Sequence, residues 1–154
     1  VAIQGEDNRG EQAMSSEKKN KEFLEAYTAD FWNTANMAAF DKYFDDEFVV
    51  HMPDGDKSRD EYKGLCQAYF AAFPDLQISA DGWVAEGDRV TKIWTARCTH
   101  KGDFMGIPAS GNKMVVKGIE VFRLANGKIA ELWVNMDTLG MMQQMGAIPE
   151  MSPA

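Results

Sequence analysis

Cysteine and histidine are scarce in this chain, two of each in 154 residues. Cys66 and Cys98 cannot build a disulfide framework. One falls on a helix stripe and the other on a strand, places that suit small core residues better than a redox pair. Two histidines without paired-ligand spacing leave zinc no ligand set. Asp54-x-Asp56-x-Ser58 has the opening of a calcium loop, but Arg59 stands where that loop needs glycine and Leu65 where it needs glutamate. A glycine-rich phosphate loop and a nucleophile elbow are also missing. No metal and no cofactor are therefore expected. No apolar run approaches the roughly 20 residues of a membrane span. Basic residues are outnumbered, 16 against 24 acidic, for a net charge of -8. That balance argues against nucleic acid, anionic membranes and polyanionic substrates as partners.

What the chain does have is core material. Hydrophobic residues make up 45% of it, and the length fits one domain. Residues 1–16 are polar and read as a disordered leader, 17–149 as the domain and 150–154 as a flexible tail. The leader fits the remnant of a cleaved signal, or residues ahead of a natural start at Met14. The compartment is accordingly left between cytoplasmic and exported.

Apolar residues at three- and four-residue steps (Phe23, Leu24, Tyr27, Phe31, Trp32) predict a helix over 17–33. A second, short helix is expected over 36–44 and a short strand over 48–52. Pro53-Asp54-Gly55-Asp56 reads as a turn. Ser58 followed by Glu61 is a capping box opening a third helix, which Pro74 stops. Strands are expected over 76–85, 89–101, 113–124 and 128–136. Glu86-Gly87-Asp88 and Ala125-Asn126-Gly127 form the tight turns. Residues 102–112 read as a longer, mobile connection at a mouth. A short helix over 138–145 ends at Gly146 with Pro149 beyond. Helices followed by hairpin-linked strands make an α+β order. Such a sheet twists and curls, and helices laid on its concave side can leave a cavity.

These segments resemble a known family. His100-Lys101-Gly102-Asp103-Phe104-Met105-Gly106-Ile107-Pro108 is similar to the Gly-x-Phe-x-Gly-Ile-Pro loop of SnoaL-like polyketide cyclases. Gly118-Ile119-Glu120-Val121-Phe122-Arg123, Asn126-Gly127-Lys128-Ile129 and Glu131-x-Trp133 resemble that family's last hairpin, and 137–146 its closing helix. Phe73-Pro74-Asp75 and Glu86-Gly87-Asp88 fit as well. The resemblance spans residues 18–149. It implies the fold shared with ketosteroid isomerase and nuclear transport factor two: a cone-shaped, strongly curved, mainly antiparallel sheet wrapped by N-terminal helices, with a short C-terminal helix. It also implies, for some members, an intramolecular aldol ring closure without metal or cofactor. In the characterised cyclases the acid/base carboxylate lies on the last strand, a position that aligns with Val134 here, and a second polar position aligns with Glu120. Valine can neither give nor take a proton.

Glu120 is thus the candidate catalytic residue. It alternates with Met114, Val116, Gly118, Phe122 and Leu124 on one strand face. A carboxyl among such neighbours points inward, where burial favours its neutral form and suits proton transfer. The competing reading makes it half-exposed at the mouth or paired with a lysine. A strict two-residue Asn126-Gly127 turn would set Glu120 opposite Trp133. Placing Glu120 and Val134 on one pocket face needs a bulge or a longer loop. Asp137 reads as a helix N-cap. His51 is the second catalytic candidate, as a carbonyl-orienting or proton-accepting group, with a satisfied rim histidine as the alternative. His100 is placed at the rim. Pocket-wall candidates are Tyr27, Trp32, Tyr43, Tyr69, Trp94, Phe104, Phe122, Leu132, Val134 and Met136, some of which must be plain core. The orientation of the Val90, Lys92, Trp94, Ala96, Cys98 face is left open. Met141, Met142 and Met145 form either an apolar lid or a dimer contact.

The partner expected is a small hydrophobic, polyketide-like molecule, and the assembly a homodimer. Four functions compete: a cofactor-free cyclase working through Glu120, a non-catalytic binder, a proton-transfer isomerase or dehydratase, and an interaction module. The last would use the outer sheet face carrying Ile119, Val121 and Trp133.

Overall fold

A computed structural model describes residues 4–152, with side chains from Arg9 onward. Its helices are α1 (Gln4–Tyr27), α2 (Phe40–Tyr43), α3 (Arg59–Ala72) and α4 (Thr138–Gln144). Its strands are β1 (Phe44–Met52), β2 (Gly55–Ser58), β3 (Gln77–Glu86), β4 (Arg89–Thr99), β5 (Lys113–Ala125) and β6 (Lys128–Met136). The six strands form one curved sheet in the order β2-β1-β6-β5-β4-β3. Every neighbouring pair is antiparallel except β1 with β6. The α+β cone expected from the sequence is the fold observed.

Helix α1 begins at Gln4, not at residue 17, so the segment read as a disordered leader is helical from Gln4 on. It lacks proline and is rich in Glu and Lys, whose propensity outweighs Gly5 and Gly10. Two contacts tether the helix to the β3–β4 turn: Glu17 Oε1 accepts from the Gly87 N–H at 2.8 Å, and Asn20 Nδ2 donates to the Gly87 carbonyl. The helix then widens into a π turn, Thr28–Trp32. The expected second helix is cut down to a 3₁₀ turn, Met37–Ala39, and α2, because β1 already starts at Phe44. Strand β2 was not expected; Gly55–Ser58 folds back on β1 across the Pro53-Asp54 turn, giving the polar segment a ladder.

The capping box forms as read. Ser58 Oγ accepts from the Glu61 N–H, and Glu61 Oε2 accepts from the Ser58 N–H at 2.7 Å. Residues 102–112, expected to be mobile, are tied down. Phe104 and Ile107 exchange backbone hydrogen bonds of 2.9 and 2.8 Å. The Lys101 and Gly102 N–H groups both donate to the Ala72 carbonyl. Gly102 is obligatory there, since a Cβ would meet the Ala71 oxygen at 2.7 Å. Phe104, 2% exposed, packs on Tyr69 and Phe73.

The inner sheet face and the helices meet in an aromatic block. Tyr27, Phe31, Phe40 and Phe44 are each 1% exposed or less and pack ring against ring. Burying each such ring contributes on the order of 1.5–3 kcal/mol. Among the described residues no helix is long and apolar enough to cross a membrane.

Candidate functional site

The hairpin of β5 and β6 carries the register that matters. Asn126 and Gly127 both take positive φ, 53° and 71°, as a tight two-residue turn demands. Near the turn the pairing is strict, Ala125 with Lys128 and Leu124 with Ile129. Then it slips: Arg123 pairs with Glu131, so Ala130 is an extra residue on β6. This bulge moves the partner of Glu120 from Trp133 to Val134. Paired residues share a face, so both look into the cone.

Strand β4 supplies the other half. Val90, Lys92, Trp94 and Ala96 are buried, which settles the orientation of this face as inward. Lys92 pairs in register with Glu120. Its Nζ lies 2.6 Å from Glu120 Oε1, with the lysine side chain fully buried. Nζ also sits 3.3 Å from Thr28 Oγ1 on the π turn and over the rings of Phe122 and Tyr27. Glu120 is 8% exposed and is one half of a buried ion pair, not a lone carboxyl. The alternative expected for Glu120, a carboxylate paired with a lysine, is the one found, though the sequence did not say which lysine. The signal was there, a lysine alternating between Val90 and Trp94, but the long β4–β5 connection hid the register that pairs it with Glu120.

Around Glu120 lies a cavity walled by Trp32, Tyr69, Trp94, Val134 and Met136 of the expected residues, with Met52, Tyr62, Phe73 and Leu76 among those not expected. The space between these side chains is about 700 Å³, part of it open to solvent. Glu120 is the only wall residue among those described that bears a formal charge at neutral pH. Met141, from α4, completes the wall, and Met145 packs into the core. The Asp137 carboxylate caps α4 by accepting from the Gly140 N–H at 2.8 Å, as expected.

Several expected wall residues stand elsewhere. Tyr27, Tyr43, Phe122 and Leu132 belong to the solid block behind Glu120, and Phe104 backs Tyr69 and Phe73 from outside. Each lies on an inward stripe or face, and the sequence pattern does not say where along that face packing gives way to space. Tyr27 still touches the site's chemistry. Its hydroxyl accepts from Trp32 Nε1 at 2.7 Å. Burial first, and the Glu120 charge second, hold its phenol well above the ordinary range, so it stays neutral.

The two histidines also depart from expectation. His51 faces away from the cavity, on the outer side of the sheet. Its Nδ1 is 2.8 Å from Asp56 and its Nε2 2.7 Å from Glu131, and its ring stacks on Trp133. Strand alternation gives the inward place to Met52 instead. His100, placed at the rim by the sequence, is fully buried: it closes the 100–112 loop through Ser110 and packs on Phe73. Burial pushes the Cys98 thiol on the cavity wall up to about 11, and Cys66 is pushed up as well, which suits inert thiols. Among the described residues no group of three or more His, Cys, Asp or Glu side chains could hold a metal ion.

This geometry has relatives. A crystal structure of AclR from Streptomyces galilaeus, provisionally described as a hydroxylase, superposes with a TM-score of 0.81 at 26% identity, over 88% of this chain and 86% of that one. A provisionally assigned polyketide cyclase from Acidithiobacillus ferrooxidans is 31% identical, with a TM-score of 0.73, over 84% of this chain and 96% of that one. A provisionally assigned SnoaL-like polyketide cyclase from Jannaschia sp. CCS1, at 22% identity and a TM-score of 0.78 over 86% and 95%, shares the fold. None of the curated proteins matches. The SnoaL-like polyketide cyclase family matches residues 22–145, the helices, the hairpin and the closing helix alike, and this chain belongs to that family.

Proposed function

We propose that the cavity takes a small hydrophobic, polyketide-like molecule and that Glu120 exchanges a proton with it. One observation carries this reading: a single carboxylate stands on an otherwise uncharged wall, with an ammonium fixed behind it. An intramolecular aldol closure asks for little more. The Glu120 carboxylate takes the proton from a carbon between two carbonyl groups. The resulting carbanion attacks a second carbonyl carbon, forming the ring C–C bond, and that oxygen takes the proton back. Atoms and charge balance with no cofactor. The wall supplies proximity by holding the chain bent, and Glu120 supplies the proton relay. The Lys92 ammonium stands 2.6 Å behind the carboxylate that takes the proton.

The test is α-proton exchange of 2-tetralone in D₂O, followed by NMR. Wild type should accelerate exchange over buffer, and Glu120→Gln should lose about 10²–10⁴-fold of that acceleration while still binding tetralin. Equal exchange by the two proteins would overturn the role of Glu120. A second reading, a non-catalytic binder, is favoured by Val134, which leaves the family's last-strand acid/base position without a titratable group. Its outcome is binding of both compounds with no acceleration by wild type. A proton-transfer isomerase would use the same carboxylate and pass the exchange test without closing a ring.

A further inference from the structure

The β1–β2 hairpin borders the cavity with little to anchor it. Strand β2 ends the sheet and pairs with β1 alone. None of residues 53–58 is buried. Met52, at the end of β1, stands in the cavity wall. Burial, then Cys66, then the charge of Asp54 at the hairpin tip raise the phenol of Tyr69, which puts the tip beside that wall residue. A segment with so few buried contacts opens more readily than the core strands.

One side-chain bridge ties β2 across β1 to β6. His51 lies between two carboxylates, its Nδ1 2.8 Å from Asp56 and its Nε2 2.7 Å from Glu131. A neutral imidazole has one N–H and one lone pair, so it satisfies one carboxylate and repels the other. Only the imidazolium donates to both. The two acids are not equally free. Glu131 also accepts from Arg123 Nε on β5 at 3.0 Å, which holds it in place. The Asp56 side chain is 67% exposed and has no other partner among the described residues. The other charges nearby are engaged elsewhere: Arg89 of β4 lies over the Trp133 ring on which His51 stacks, and Lys57 pairs with Asp54 inside the hairpin. When one imidazolium proton leaves for water, the one kept is on Nε2, because Glu131 cannot withdraw. Asp56 then turns away.

We propose that the β1–β2 hairpin is a proton-latched door of the cavity: protonated His51 pins β2 to the sheet, and neutral His51 lets residues 53–58 swing out and admit a guest. This rests on the pocket reading above and adds a controlled way in. The hydrogen bonds to Glu131 first and Asp56 second raise His51 above its ordinary 6.5. The latch is therefore closed below 6.5 and released as pH rises through the higher folded-state value.

The experiment follows amide hydrogen exchange in residues 49–58 at about pH 5.5 and about pH 8.5, on either side of the histidine range. Each rate is divided by the intrinsic rate at that pH. In wild type the protection of the hairpin should fall about three- to tenfold at the higher pH, the worth of one hydrogen bond, while β3 and β4 keep theirs. His51→Phe retains a ring on Trp133 but has no latch, so its hairpin should be poorly protected at both pH values. Asp56→Ala, a change at an exposed site, should behave the same way. Stopped-flow entry of N-phenyl-1-naphthylamine, an uncharged fluorescent probe, should quicken by the same factor in wild type and be fast at both pH values in the variants. Hairpin protection that stays level in wild type, or falls equally in the variants, overturns the latch. A hairpin that loosens while the probe enters at an unchanged rate overturns the door and leaves the pocket reading standing. A probe that binds at neither pH brings down the pocket reading and the door together.

Discussion

Replacing Lys92 by methionine should destabilise the protein far more than a lost lysine–glutamate contact does at a surface. The Nζ–Oε1 distance is 2.6 Å, the lysine side chain is fully buried, and Glu120 is 8% exposed. Methionine nearly fills the lysine stem's volume, so little cavity is made, but the Glu120 carboxylate is left among apolar rings without its counter-charge. Removing one partner of a buried pair costs about 3–5 kcal/mol, against about 0–1 kcal/mol for an exposed one. In a domain of this size that lowers the melting temperature by about 6–20 °C. Urea denaturation at neutral pH reads the loss directly. Adding Glu120→Gln should recover most of it, because the charge left stranded is then gone. A loss under about 1 kcal/mol, or a double variant whose loss is the sum of the two single losses, would refute the buried-pair reasoning.

Two further outcomes are expected. His51 is raised above its ordinary 6.5, first by its hydrogen bond to Glu131 and then by Asp56. Its contribution to stability is therefore complete below 6.5 and lost as pH rises through the higher folded-state value. An NMR titration should place the His51 midpoint above 6.5, and Glu131→Gln should bring it down; a midpoint at or below 6.5 in wild type would break the outer-face assignment. Gly118→Ala should cost about 1–3 kcal/mol by overpacking the Trp94 indole, with partial recovery when Trp94→Phe is added. A neutral Gly118→Ala in urea denaturation would mean the indole is not seated on β5.

Much of the fold was legible because local chemistry set it. Ser58 and Glu61 cap α3 by satisfying each other's N–H groups within one turn. Asn126 and Gly127 adopt the positive φ that only a few residues tolerate, so the last hairpin is placed from a dipeptide. Alternation told the faces of β5 apart, which is why Glu120 was found. The site was less legible because faces are not depths. Tyr27 and Trp32 share the same inward stripe, yet one is locked in the aromatic block and the other walls the cavity. His51 looked like a pocket residue on its strand, until pairing with β2 and β6 placed Asp56 and Glu131 on its outer side.

Residue order alone thus decided most of the helices and strands, which faces were apolar, and that a carboxyl would stand among them, since propensity, capping and periodicity act over a few neighbours. Packing in three dimensions decided what that carboxyl meets. One extra residue at Ala130 turned β6 so that Val134 and not Trp133 lies opposite Glu120. The register of β4, joined to β5 by a long loop, brought Lys92 to the carboxylate. Register is a property of paired strands, and a shift of one residue reverses every side chain, so no single segment could have specified it.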